Sequence, residues 1–382
     1  MTRINHTGFV TCLTIAAIAW AAVLGTAVPV NAKTAPEEAE ADESRTVDVV
    51  FVLDTTGSMG GLIEGAKLKI WSIANQIIGG SPRPDLRVGL VGYRDKGDEY
   101  VTQVFDLSSD LDAVYARLMS FGAAGGGDGP EHVNRALHDA VNEISWSEDR
   151  RTLRILFLVG DAPPHVDYDD GYDFKVVCQT AVRKDIIVNT IQCGAVAEAT
   201  EYWRQIALLG EGEYAAIPQS GGMRSIPTPM DEELTRLSRE LDATVVAFGD
   251  AKDFERKREA DEMAAEMPAA ALAERAAFKS TSGKMGTYDL IDALESGKVE
   301  LEEIEKKNLP EAMRGMNTGE MQVFLEQKRA QRDDICKRIA KLNTERGRYI
   351  KAKLAEGVGE DSFDAQVLTM IRTQAGDKGL TY

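Results

Sequence analysis

Seven consecutive residues, Val47 to Leu53 (VDVVFVL), are apolar and mostly β-branched apart from Asp48. A short, non-alternating run of this kind reads as a strand buried on both faces of a parallel sheet. It constrains the rest of the chain, because parallel strands need crossover helices to cover those faces. Apolar spacing predicts such helices over 62–78, 111–119, 133–144, 174–183, 201–209 and 232–241. Further strands are expected over 86–93, 100–105 (an alternating edge strand), 153–159, 186–191 and 213–217. The expected fold class is α/β, a doubly wound, mostly parallel sheet. Ligands of such sheets bind beyond the carboxyl ends of the strands.

The chain of 382 residues has 62 acidic and 44 basic side chains, net −18, and most of the acidic excess precedes Asp250. That field repels phosphate backbones and argues against nucleic acid as a partner. Before the first strand lies an apolar run from Phe9 to Val30, followed by Asn31 and Ala32. Small residues at the last and third-last positions read as a secretory cleavage site before Lys33. The expectation is a signal peptide over 1–32 and a periplasmic or secreted protein. An uncleaved anchor, and membrane association through it, is the alternative. Residues 33–46 form an acidic linker, 47–249 the sheet domain and 250–382 a helical C-terminal region.

Three acidic turns are expected at the carboxyl ends of the strands. In Asp54-Thr55-Thr56-Gly57-Ser58 one carboxylate and two or three hydroxyls, spaced i, i+2, i+4, offer oxygen atoms to one point, as hard cations such as Mg²⁺ require. Gly125-Gly126-Gly127-Asp128-Gly129-Pro130-Glu131 combines glycines suited to a tight turn with Asp128. Asp161 ends the strand Leu153–Val159. Alone, each of these residues reads as a helix cap or turn; three acidic turns at one sheet edge suggest a cation. His165, next to two prolines, is expected at the surface, and His132 and His138, six apart, are not expected to form a metal pair.

These motifs carry a resemblance. The segment from Val47 to about Gly249 resembles the von Willebrand factor type A domain, a Rossmann-like fold whose metal-ion-dependent adhesion site begins Asp-x-Ser/Thr-x-Ser. With GGGDGPE, GYRD and GDAPPH, it looks most like bacterial A domains related to those joined to alpha-kinase-type kinases, although the chain has no kinase signature. The resemblance implies that Asp54, Thr56 and Ser58 hold the ion and that Asp161 takes the third-loop role, directly or through water. It implies a Thr in the second loop, where this chain departs and Asp128 is the best candidate. The implied ion is Mg²⁺, with Mn²⁺ or Ca²⁺ as alternatives. The implied function is an exported protein-interaction protein, not an enzyme, that binds an acidic group of a partner. A metal-dependent hydrolase or phosphatase, and a structural module whose site has drifted, are the competing readings.

After Ala251 the strand pattern stops, and helices are expected over 252–267, 271–278, 288–294 and 320–354. Ile335, Ile339, Leu342 and Tyr349 make a stripe in the last, interrupted by Arg346. This suggests either a coiled-coil arm for a partner or a helical appendage packed on the sheet domain. The cysteines are expected to stay unpaired. Cys178 lies about 9 Å back from its helix end, and Cys193 about 26 Å along the next strand, too far apart for a disulfide. Cys336 is also expected to be free.

Overall fold

The strand expected at VDVVFVL is β1 (Thr46–Asp54), and it lies at the centre of the molecule. The structure is a computed structural model that describes residues 45–127, 129–354 and 362–382. The signal-peptide expectation, most of the linker and Asp128 lie outside the described residues. β2 (Asp85–Tyr93), β3 (Thr102–Ser108), β4 (Leu153–Gly160), β5 (Ile186–Cys193) and β6 (Glu211–Ile217) complete a six-stranded sheet in the order β3-β2-β1-β4-β5-β6. Only β3 is antiparallel, on the β2 edge. The α/β, doubly wound reading holds.

Along β1, Val47, Val49, Phe51 and Leu53 face one core, and Val50 and Val52 face the other. The second face is covered by α3 (Val133–Asn142), α4 (Phe174–Arg183) and α5 (Ala197–Leu209). The first is covered by α1 (Gly60–Ile77) and α2 (Leu111–Ser120) from within the expected domain. Its remaining cover comes from beyond residue 250.

Beyond α6 (Asp231–Asp242) come α7 (Ala251–Glu266), α8 (Ala269–Ser282), α9 (Leu290–Glu295), α10 (Thr318–Leu354) and α11 (Phe363–Ala375). Met267, Leu272 and Phe278 join the core that contains Phe51, as do Phe363, Val367 and Ile371 of α11. The Phe51 and Phe363 rings are 5.9 Å apart. α11 was not expected from the sequence, and it packs on α1 and against β4, β5 and β6. Helix α10 is not a projecting arm. Ile335 and Ile339 pack with Leu234, Leu237 and Ala273 of α6 and α8. Arg346, which breaks the apolar stripe, is buried and bonds Asp231 at 2.9 Å and Glu274 at 2.5 Å. The described residues thus make one compact unit. No helix among the described residues is long and apolar enough to cross a membrane.

Candidate metal centre

Parallel pairing brings the acidic turns together. Leu53 lies opposite Val159, so the turns after β1 and β4 emerge side by side at one sheet edge. In the first turn Thr55 points inward, its hydroxyl 2.9 Å from the Tyr93 carbonyl and 2.8 Å from the Tyr100 hydroxyl. This leaves the hydroxyls of buried Thr56 and exposed Ser58 beside each other, their oxygens 3.5 Å apart. Thr56 donates to Asp54 Oδ1 from both its amide, at 2.8 Å, and its hydroxyl, at 2.6 Å. With its proton committed, the Thr56 oxygen keeps lone pairs for an outside ligand.

Asp54 Oδ2 is buried and has no hydrogen-bond partner. Burial pushes the Asp54 carboxyl up to about 7, with nearby Asp161 adding to the rise and the Thr56 hydrogen bonds opposing it. A buried carboxylate oxygen left bare is costly. An orphaned acid beside two hydroxyls fits the oxygen-ligand demand of a divalent cation.

The second loop folds over this turn. Gly57 N bonds the Gly125 carbonyl at 3.3 Å, and Ala124 N bonds the Thr55 carbonyl at 3.1 Å. Gly125 and Gly126 have φ of 79° and 78°, a left-handed pair that favours glycine. Asp98 accepts the Gly126 amide, and Arg94 reaches the carbonyls of Thr55 at 3.1 Å and Gly122 at 2.9 Å. The loop is joined to the third by Glu131 N to the Pro163 carbonyl, 3.0 Å, and His165 N to the Glu131 carbonyl, 3.1 Å. A cleft lined by Thr56, Ser58, Gly126, Glu131, Asp161 and Glu198 opens between the loops.

Of the expected site residues, Asp54, Thr56, Ser58 and Asp161 therefore gather at one edge. Among the described residues no three His, Cys, Asp or Glu side chains come close enough to hold one ion by themselves. The hydroxyls are thus part of any ligand set. Two residues not selected from the sequence belong to the neighbourhood. Gln219, after β6, donates to Asp161 Oδ2 at 2.7 Å and so sets the carboxylate's orientation. Glu131 is only 4 % exposed. A signal for Glu131 existed in GGGDGPE; none existed for Gln219, which arrives through the fold alone.

The histidines correct one expectation. His165 is buried, not a surface residue: its ring stacks on Tyr168 at 4.1 Å and bonds Asp167 at 2.8 Å. Aromatic cover from a residue three positions on hides a side chain that two prolines seemed to push outward. His132 and His138 pair with Asp170 and Asp139, not with each other.

A doubly wound sheet whose carboxyl edge presents Asp-x-Thr-x-Ser beside a third-loop Asp defines the class of A-type domains with an adhesion-site turn. Residues 48–227 match the family model described as von Willebrand factor A domain, and that stretch of the chain is a von Willebrand factor A domain. It is similar to human von Willebrand factor A domain-containing protein 7, 38 % identical over 129 residues, covering 32 % of this chain and 13 % of that protein. It is also similar to alpha-protein kinase vwkA of Dictyostelium discoideum, 29 % identical over 132 residues, covering 32 % and 19 %. The chain thus spans less than a fifth of the length of these relatives. Among solved structures, the VWA domain of SpRpn10 is 15 % identical with a TM-score of 0.34, covering 50 % of this chain and 94 % of that one. Proximal thread matrix protein 1 of the mussel byssus, with a zinc-occupied MIDAS motif, is 13 % identical with a TM-score of 0.34, covering 45 % and 42 %.

Proposed function

We propose that the protein is an exported, divalent-cation-dependent interaction module that binds an acidic group of a partner protein. The observation that carries this reading is the bare, buried Asp54 Oδ2 beside the neighbouring hydroxyls of Thr56 and Ser58. Asp54, Thr56 and Ser58 would hold Mg²⁺, with Mn²⁺ or Ca²⁺ as alternatives. Asp161, oriented by Gln219, would act directly or through water, and Asp128 is the remaining candidate of the second loop. A bound cation supplies a Lewis-acidic position for a partner oxygen. The edge also carries Glu131, Asp98 and Glu198, so without a cation it would repel a partner carboxylate. Binding should therefore depend steeply on the metal. Export rests on the apolar run before Ala32, and a mature amino terminus at Lys33 is the corresponding expectation.

The test is a set of melting curves of wild type and Asp54→Ala, each with chelator and with saturating Mg²⁺. A ligand that binds only the folded state raises its stability by mass action. The wild type should gain several degrees with Mg²⁺. Asp54→Ala should lose that gain while melting no lower than wild type in chelator, because a buried repelling charge is gone. Equal metal responses would sink the assignment.

A further inference from the structure

Glu131 sits deeper than any role as a turn residue requires. Its backbone is held on both sides by the third loop, through Pro163 and His165, in a short parallel bridge with Pro164. Its side chain is 4 % exposed, yet Oε2 is buried with no hydrogen-bond partner. The surroundings are acidic, with Asp54, Asp95, Asp98 and Asp161 all acting on it. The two bases of the β2–β3 loop are engaged elsewhere. Arg94 is committed to the carbonyls of Thr55 and Gly122 and stacks on Tyr100; Lys96 pairs with Asp170 at 2.7 Å over the Tyr168 ring.

The carboxyl also lies beside the first turn. A methyl placed on Gly126 would lie 3.3 Å from Thr56 Cβ and 3.4 Å from Glu131 Oε1. Thr56 and the Glu131 carboxylate therefore flank the same space above Gly126, and both residues line the cleft together with Ser58 and Asp161. Two bare, buried acid oxygens, Asp54 Oδ2 and Glu131 Oε2, belong to the same small region. A carboxylate in such a place is stable when a cation lies against it.

We propose that Glu131 is a further cation-facing carboxylate of this centre, supplying from the second loop an anionic oxygen to the divalent ion. The proposal rests on the reading of the Asp54 turn as a cation site. Since no three acids among the described residues converge on one point, Glu131 and Asp54 would contact the ion and Asp161 would act through water.

Mn²⁺ binding to the full chain, followed by the loss of the free-ion EPR signal, tests this. Glu131→Gln keeps the shape and removes the charge, and should weaken Mn²⁺ binding by at least about tenfold, the scale seen when groups supporting a metal site are lost. Glu131→Asp keeps the charge but withdraws it, and should bind between wild type and Glu131→Gln; it also serves if the amide variant does not fold. Glu198→Gln, an exposed acid on the cleft rim, should bind as wild type. If Glu131→Gln and Glu131→Asp both bind as wild type while Asp54→Ala does not, Glu131 is only a buried acid and this inference is overturned alone. If Asp54→Ala also binds as wild type, the cation reading of the turn falls with it.

Discussion

At the level of single residues, the decisive fact is where each polar group spends its hydrogen bonds. Thr55 and Thr56 are adjacent and chemically identical, yet one is bonded into the Tyr93 strand end and the other faces the cleft. The spacing i, i+2, i+4, together with the Asp-x-Ser/Thr-x-Ser resemblance, selects Thr56 and Ser58. Spacing could not show that Asp54 keeps one oxygen bare, because that depends on which neighbours arrive. The cysteines follow the same logic. Cys178 packs in the core beneath α3, α4 and α5, and Cys193 in the core on the opposite face. The sheet itself separates them, a stronger barrier than the axial distance inferred from their positions. Burial raises both thiols well above their ordinary range, Cys178 to about 12. Native protein should therefore show no 178–193 linked peptide in non-reducing mass spectrometry and little alkylation at either position until it is unfolded. A linked peptide would overturn the packing described.

Among the elements, the sheet strands were legible because each is a compact apolar run whose side chains meet protein on both faces. The helical C-terminal region was legible as helices, with packing on the sheet domain as one of two alternatives that the sequence left open. Its apolar residues are sparse, and its docking uses buried arginines that read as interruptions: Arg346 to Asp231 and Glu274, and Arg332 to Asp289 and Asp292 at 2.7 and 2.9 Å. An apolar stripe cannot reveal a contact made by charge. Helix α11 has an apolar spacing of its own (Phe363, Val367, Ile371), short enough to go unmarked beyond Leu354. It fills a groove on the sheet, where the Asn189 and Gln374 side-chain amides bond each other at 3.0 and 2.7 Å. Ile371 is fully buried. Ile371→Ala should lower unfolding stability in urea by about 2–5 kcal/mol, the cost of a core truncation. A change within about 0.5 kcal/mol, as at a surface position, would mean that α11 is not part of the core.

Across the whole molecule, a buried cluster of ions joins the two expected domains. Arg275 of α8 bonds Asp112 of α2 at 2.6 and 2.8 Å and Asp242 of α6 at 2.7 Å. Lys279 adds contacts to the same two acids at 2.8 and 3.2 Å. Burial pushes the Asp112 carboxyl up, but Arg275 and Lys279 outweigh it and hold it well below the usual range; Asp242 is lowered in the same way. Asp110 and Tyr288 are the other titratable groups close by, and both are raised. A carboxyl lowered by folding stabilises the native state above its unfolded pKa, about 3.9, and that contribution disappears as pH falls through the folded value. Asp112→Asn leaves Arg275 short of a buried counter-charge and should cost about 3–5 kcal/mol at pH 7. In urea titrations the gap between variant and wild type should narrow steadily below about pH 4. A gap that stays constant down to pH 2 would refute a role for the Asp112 charge.

What the sequence determined by itself is therefore the sheet, its carboxyl edge and the hydroxyl turn on that edge, because strand burial and turn spacing are written in contiguous residues. Tertiary structure alone decided the rest. It brought Gln219 onto Asp161, buried Glu131 among four acids, hid His165 behind Tyr168 and turned a helical tail into the cover of the sheet. Each of these joins residues far apart in the chain or depends on which side chain is denied water. Neither quantity has a local signature, since pairing partners and desolvation are properties of the packed chain.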